Sequence, residues 1–120
     1  MSYIEGFVIP VPKRNREAYL EIAKRAAPVF LEYGALRVVE TWADDIKPGK
    51  TNDFRTAVLA ETDEEVVFSW IEWPSREVRD AGNVKAMNDS RMQIEGGEYP
   101  FSGARLIYGG FAPILDVSAK

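Results

Sequence analysis

Two hydrophobic periods alternate along the chain, and the switches between them mark out its elements. From Tyr3 to Val11 the period is two. Tyr3, Glu5, Phe7, Ile9 and Val11 point one way and Ile4, Gly6, Val8 and Pro10 the other, as a strand requires. From Arg14 to Tyr33 the period becomes helical, with Tyr19, Ile22, Ala23, Ala26, Phe30 and Tyr33 as the apolar stripe. Asn15 is placed to cap this helix and Gly34 to stop it. Pro28 lies inside it and predicts a kink in the last turn. Glu21 stands four residues before Arg25, the spacing of a surface ion pair.

Ala35 to Asp44 reads as a second strand, with Leu36, Val38, Glu40, Trp42 and Asp44 on one face. A turn-rich loop follows over 45–50. Phe54 to Ala60, with Asn52 or Asp53 as cap, is open between a strand and one or two helical turns. Val66 to Trp73 is a strong strand in which Val66, Phe68, Trp70 and Glu72 alternate with Val67, Ser69, Ile71 and Trp73; Pro74 ends it. Ser75 then caps a helix running to about Asn88. Gly82 inside that helix costs about 1 kcal/mol relative to Ala, which points to close backbone packing there. Ser90 to Met92 adds a turn. Ala104 to Val117 reads as a final strand, broken or bulged at Gly109-Gly110, and 118–120 as a frayed end.

The order β-α-β-β-α-β predicts an α+β, ferredoxin-like protomer, an antiparallel sheet with both helices on one face. The other face is predicted to carry Phe7, Trp42, Phe68, Trp70 and Tyr108, too aromatic to face water. A C2 homodimer with the open faces packed together is the expected cover.

Composition narrows the chemistry. The 120 residues (1–120) fit one domain. There is no Cys and no His, so thiolate, imidazole and Cys- or His-ligated metal chemistry are excluded. No apolar run approaches a membrane span, and no signal peptide is apparent at Met1, so a cytoplasmic protein without a membrane partner is expected. With 15 Lys+Arg against 19 Asp+Glu the net charge is −4, which argues against nucleic acid as a partner. The basic residues Lys13, Arg14, Arg16, Lys24 and Arg25 read as a solvated helix face, the alternative being a phosphate-binding site. No cofactor and no metal are expected, since Asp44, Asp45 and Asp53 match no cation-loop spacing.

Several strings together carry a family resemblance: Gly6-Phe7-Val8, Ala26-Ala27-Pro28, the run from Tyr33 to Glu40, the run from Glu64 to Ser75, Val78-Arg79-Asp80-Ala81 and Tyr108-Gly109-Gly110-Phe111. They cover nearly the whole chain, and it resembles the YbaA-like bacterial family of unknown function in the dimeric α/β-barrel superfamily. The resemblance implies a ferredoxin-like protomer and a dimeric α/β barrel. It implies no reaction.

The candidate chemistry is a set of carboxylates sharing a face with tryptophans. Glu40, Trp42 and Asp44 alternate on the second strand, Trp70 and Glu72 on the third, and Glu5 lies on the first. Antiparallel pairing of the second and third strands would bring Glu40 near Trp70. A carboxyl beside an indole in a dry cavity has a raised pKa and can move protons near neutral pH. Glu40 is the candidate proton-transfer residue, and Glu5, Trp42, Asp44, Arg55, Trp70, Glu72 and Tyr108 are candidate ligand contacts. The alternative is that these carboxylates pair with Arg37, Arg55 or Arg105 and the indoles form dimer core. Arg79-Asp80 reads as an anion site or a structural salt bridge. Two roles follow: a homodimer with a small-molecule pocket on the open sheet face, or a non-catalytic regulatory or protein-association dimer without one.

Overall fold

A computed structural model describes residues 2–119, the Glu95 side chain excepted; Met1 and Lys120, including the last residue of the predicted frayed end, lie outside them. Strand β1 spans Tyr3–Pro12, helix α1 Arg16–Glu32, β2 Arg37–Trp42, the short α2 Phe54–Ala57, β3 Glu64–Trp73, α3 Arg76–Met87 and β4 Ile107–Phe111. The four strands form one antiparallel sheet in the order β2-β3-β1-β4.

The local signals act where they stand in the chain. Ser75 Oγ accepts from the Val78 amide at 3.1 Å and starts α3. The open stretch after residue 53 becomes helix: the Asp53 carboxyl accepts from the Thr56 amide at 2.8 Å, and Thr56 Oγ1 accepts from the Asp53 amide at 2.8 Å, a closed capping box. Gly34 takes φ +115° at the end of α1, where a side chain would also meet Val78. Asn15 precedes α1 as expected, but its side chain reaches the Pro100 carbonyl at 3.2 Å instead of the helix. Glu21 pairs with Lys24 rather than Arg25, which turns to loop carbonyls.

Two readings of the sequence are corrected. The last strand is short: it ends at Phe111 with Gly109 and Gly110 paired inside it, opposite Gly6 and Glu5. Beyond it no strand among the described residues offers a partner, and Ile114, Leu115 and Val117 stand in solvent.

The second correction concerns the faces. Phe7 lies opposite Ser69 and Trp42 opposite Val67, so both Phe7 and Trp42 turn toward the helices. Tyr108, opposite Phe7, shares that side and stacks on it at 6.1 Å. The helix side holds the core: Ile9, Val11, Tyr19 and Val67 in one cluster, Ala35, Ile71 and Trp73 in another. The far face carries Phe68 and Trp70, 5.7 Å apart, with Ile107 and Phe111. One end of that face is roofed from within, where α2 sets Phe54 edge-on to Phe68 at 6.0 Å and Val66 is buried. The rest is open, with Phe111 61% exposed.

Candidate functional site

The site lies between α1 and the helix side of the sheet. Helical spacing brings Arg16, Tyr19, Ala23 and Ala26 along the inward side of α1. Strand alternation sends Val38, Glu40 and Trp42 of β2, and Val67, Ser69 and Ile71 of β3, up toward it. Tyr19 is 8% exposed, an apolar ring with one polar tip that needs a partner. It donates its O–H to Glu40 Oε1 at 2.5 Å, the short end of the range for a hydroxyl on a carboxylate.

Glu40 keeps an exposed flank at the edge strand, yet its carboxyl ends against this buried phenol. Burial raises its pKa above the ordinary value, and hydrogen bonds from Tyr19 and Ser69 offset only part of the rise. Burial also holds the Tyr19 phenol well above its ordinary range, reinforced by the Glu40 charge and their shared hydrogen bond. The pair thus holds one proton on Tyr19 and leaves Glu40 a stronger base than a solvated carboxylate.

Voids lie on both sides of this pair. On the inner side a cleft of about 160 Å³ is walled by Phe7, Phe30, Val38, Ile71 and Phe101, with Glu40 and Ser69 as its polar groups. An apolar cavity of about 150 Å³ suffices to hold benzene, so this one has room for a single ring. On the outer side a second hollow of about 160 Å³ opens between Arg16, Leu20 and Trp42. There the Arg16 guanidinium lies over the Trp42 ring, 5.5 Å from its centroid. The arrangement offers an apolar slot, a hydrogen-bonded phenol and carboxyl at its centre and a cation at its mouth.

The structure divides the carboxylate and tryptophan set predicted from sequence. Glu40 and Trp42 share the cleft. Trp70 does not join them: it lies opposite Val39 on the far face, while Glu40 lies opposite Ser69. Trp70 Nε1 instead donates to Glu72 Oε2 at 2.9 Å, and Glu72 pairs with Arg37. Asp44 lies past the end of β2, exposed beside Trp42 and Phe54. Glu5 is buried in a structural network: Asn83 Nδ2 and Arg79 Nη1 donate to its Oε2 at 2.9 and 3.2 Å, and Trp73 Nε1 to its Oε1 at 3.3 Å. Arg79 also pairs with Asp80, the structural reading of that dipeptide. Arg55 binds Glu65 and the carbonyls of Glu61 and Glu64. Tyr108 stacks on Phe7 across the β1–β4 pair, with two strands between it and β2. Trp73 is wholly buried.

Tyr19, Arg16 and Ser69 are the site residues that sequence reasoning passes over. The available signal was Tyr19 itself, a phenol within an apolar helix stripe, whose hydroxyl has to end on an acceptor.

Comparison with known proteins agrees with the family resemblance. Residues 2–103 match the family described as "Protein of unknown function (DUF1428)". The Escherichia coli K12 protein described as "Uncharacterized protein YbaA" is 59% identical over 116 residues, covering 97% of this chain and 99% of that protein. A Shigella flexneri protein of the same description matches equally. Among solved structures, Rv0793 from Mycobacterium tuberculosis superposes with a TM-score of 0.51 at 15% identity, covering 98% of this chain and 100% of the other. That likeness concerns the fold alone.

Proposed function

Since the chain belongs to the DUF1428 family, which has no stated activity, we propose its role from its own geometry: it binds a small planar organic molecule in the α1–sheet cleft, with Glu40 as the group that takes or returns a proton. What carries the reading is the 2.5 Å contact between the buried Tyr19 phenol and the partly shielded Glu40 carboxyl, with a ring-sized void on each side. A structural carboxylate in this fold looks different, as Glu5 and Glu64 do, each clasped by an arginine. Glu40 has a phenol and a hydroxyl beside it, and the cation nearest its mouth, Arg16, is engaged with Trp42. The matching ligand is an aryl compound with an acidic O–H or C–H, its ring in the apolar cleft and any anionic substituent toward Arg16. On this reading the pocket belongs to the helix side of the sheet, and the open face is left for assembly.

The open face supports the assembly half of the proposal. Phe68, Ile107 and Phe111 are each close to half exposed or more, and Trp70 lies among them. Two such faces packed together would make the ferredoxin-like protomers into a dimeric α/β barrel. The working form proposed is therefore a cytoplasmic homodimer carrying one cleft per protomer, on the outside of the barrel.

The test is a thermal-shift series on wild type and Glu40→Gln with benzoate, salicylate, 1-naphthol and 2-naphthol as probes. At least one probe is expected to raise the wild-type melting temperature, and the variant is expected to lose the rise while keeping its fold. No shift with any probe in wild type, or equal shifts in Glu40→Gln, would overturn the reading. A second reading, a purely associative dimer, is favoured by one observation, the exposed apolar tail at Ile114, Leu115 and Val117. It predicts the silent outcome.

A further inference from the structure

A larger cavity, distinct from the Glu40 cleft, lies beneath the other flank of α1. It measures about 320 Å³ and is bordered by the end of α3, the turn at Ser90–Met92 and the loop leading to Phe101, and it opens to solvent where Met87 and Tyr99 stand more than half exposed. Its volume falls at the lower edge of the range for small-molecule sites. Its walls are mainly Ile22, Met87, Met92, Ile94, Tyr99 and Phe101. Two of the chain's three methionines line it. Their flexible thioethers suit an apolar ligand without a fixed ring shape.

Two cations, Arg25 and Arg91, stand in its lining. Arg91 is neutralised there, with Glu32 at 2.5 Å and Asp89 at 2.7 Å. Arg25 is held differently. One of its nitrogens, Nη2, donates to the Gln93 carbonyl at 2.8 Å and the Arg91 carbonyl at 3.3 Å. Among the described residues no carboxylate forms an ion pair with it, and its neighbour Glu21 turns to Lys24. The carbonyls orient the guanidinium without cancelling its charge, and its other N–H groups are left for a ligand. An apolar chamber with one oriented, uncompensated cation at the rim is complementary to an apolar body ending in a carboxylate.

We infer that this cavity is a binding site for a medium-chain carboxylic acid, its chain among Met87, Met92 and Ile94 and its carboxylate on Arg25. The site shares walls with the Glu40 cleft at Ile22, Ala26 and Phe101 but none of its polar groups. Its occupancy is independent of the proton-transfer reading.

The experiment is displacement of a dansyl-labelled undecanoate from the full chain by decanoate and by decanol. Decanoate is expected to displace the probe at about tenfold lower concentration than decanol, the worth of one charge-assisted hydrogen bond. Arg25→Gln should bring decanoate to the decanol level, and Arg25→Lys should retain the preference. Met92→Trp, which fills the chamber, should weaken both ligands about tenfold or more through lost space. Arg16→Gln and Glu40→Gln should leave all values unchanged, which separates this site from the other cleft. Circular dichroism on each variant guards against unfolding, and Met87→Trp replaces Met92→Trp if the latter fails to fold. Equal displacement by acid and alcohol, a preference that survives Arg25→Gln, wild-type binding in the filled variant, or no probe binding would each overturn the inference.

Discussion

Tyr19 of α1 and Glu40 of β2 are joined through a 2.5 Å hydrogen bond that ties the edge strand to the helix above it. Removing the phenol takes the closest donor from a partly shielded carboxyl and leaves it Ser69 alone. Tyr19→Phe is therefore expected to destabilise the fold by roughly 1–2 kcal/mol, read as a lower urea midpoint with unchanged slope. An unchanged midpoint would mean that the contact is not maintained in solution.

Glu40 also sets a pH dependence whose sign follows from its environment. Burial raises its pKa above the ordinary 4.5, so the folded state holds the proton more tightly than the unfolded chain. Its contribution to stability is complete below the unfolded value and is lost as pH rises through the folded one. Urea unfolding of wild type and Glu40→Gln between about pH 4 and 8 is expected to show wild type losing stability relative to the variant as pH rises. A difference that is flat, or that grows in favour of wild type, would contradict it.

Glu64 behaves in the opposite sense. Arg105 donates to both of its carboxyl oxygens, at 2.7 and 2.6 Å, and lowers its pKa. Stability from this pair is present above the ordinary glutamate value and lost as pH falls through the folded one. Arg105→Ala is expected to cost roughly 2–3 kcal/mol at neutral pH, since the carboxylate stays buried with only the Glu61 amide and the Arg55 charge left to it. The cost should shrink in acid, and thermal melts at two pH values would measure it.

Gly82 offers a test of packing against propensity. In an open helix Gly→Ala gains about 1 kcal/mol. Here a methyl group would meet the Trp73 ring at 2.5 and 2.7 Å and the Tyr33 carbonyl at 2.8 Å. Trp73 is wholly buried and has no room to yield. Gly82→Ala is expected to destabilise by about 1–3 kcal/mol, seen as a lower melting temperature. A stabilised variant would show that α3 sits farther from Trp73.

The proposed dimer is tested on the far face. Wild type should scatter light at micromolar concentration as twice one chain. Phe68→Asp, placed where Phe68 meets Trp70 and Phe54, should shift it to a single chain. A wild-type monomer, or a variant that still dimerises, would remove that face from the interface.

Much of this molecule was legible in its sequence because the signals are local. Ser75, Gly34 and Gly82 each act within a few residues or on an adjacent element, and the expectations placed on them hold. The order of the main elements follows from the same alternation. The site was less legible because alternation gives the two faces of one strand but not which face of the next strand matches it. A slip of one residue between β2 and β3 exchanges the faces. Glu40 lies opposite Ser69, not Trp70, and that one step separates the two halves of the expected set. The tail failed for a related reason: Ile114, Leu115 and Val117 have the composition of a strand, but a strand also needs a neighbour to pair with, which composition does not report.

The most direct test of the Glu40 cleft is an amide ¹H–¹⁵N NMR titration of the full chain with 2-naphthol. Shifts concentrated at Tyr19, Glu40, Trp42 and Ser69, and abolished in Glu40→Gln, are the predicted result. Shifts confined to the Phe68 and Phe111 face, or none at all, would contradict it.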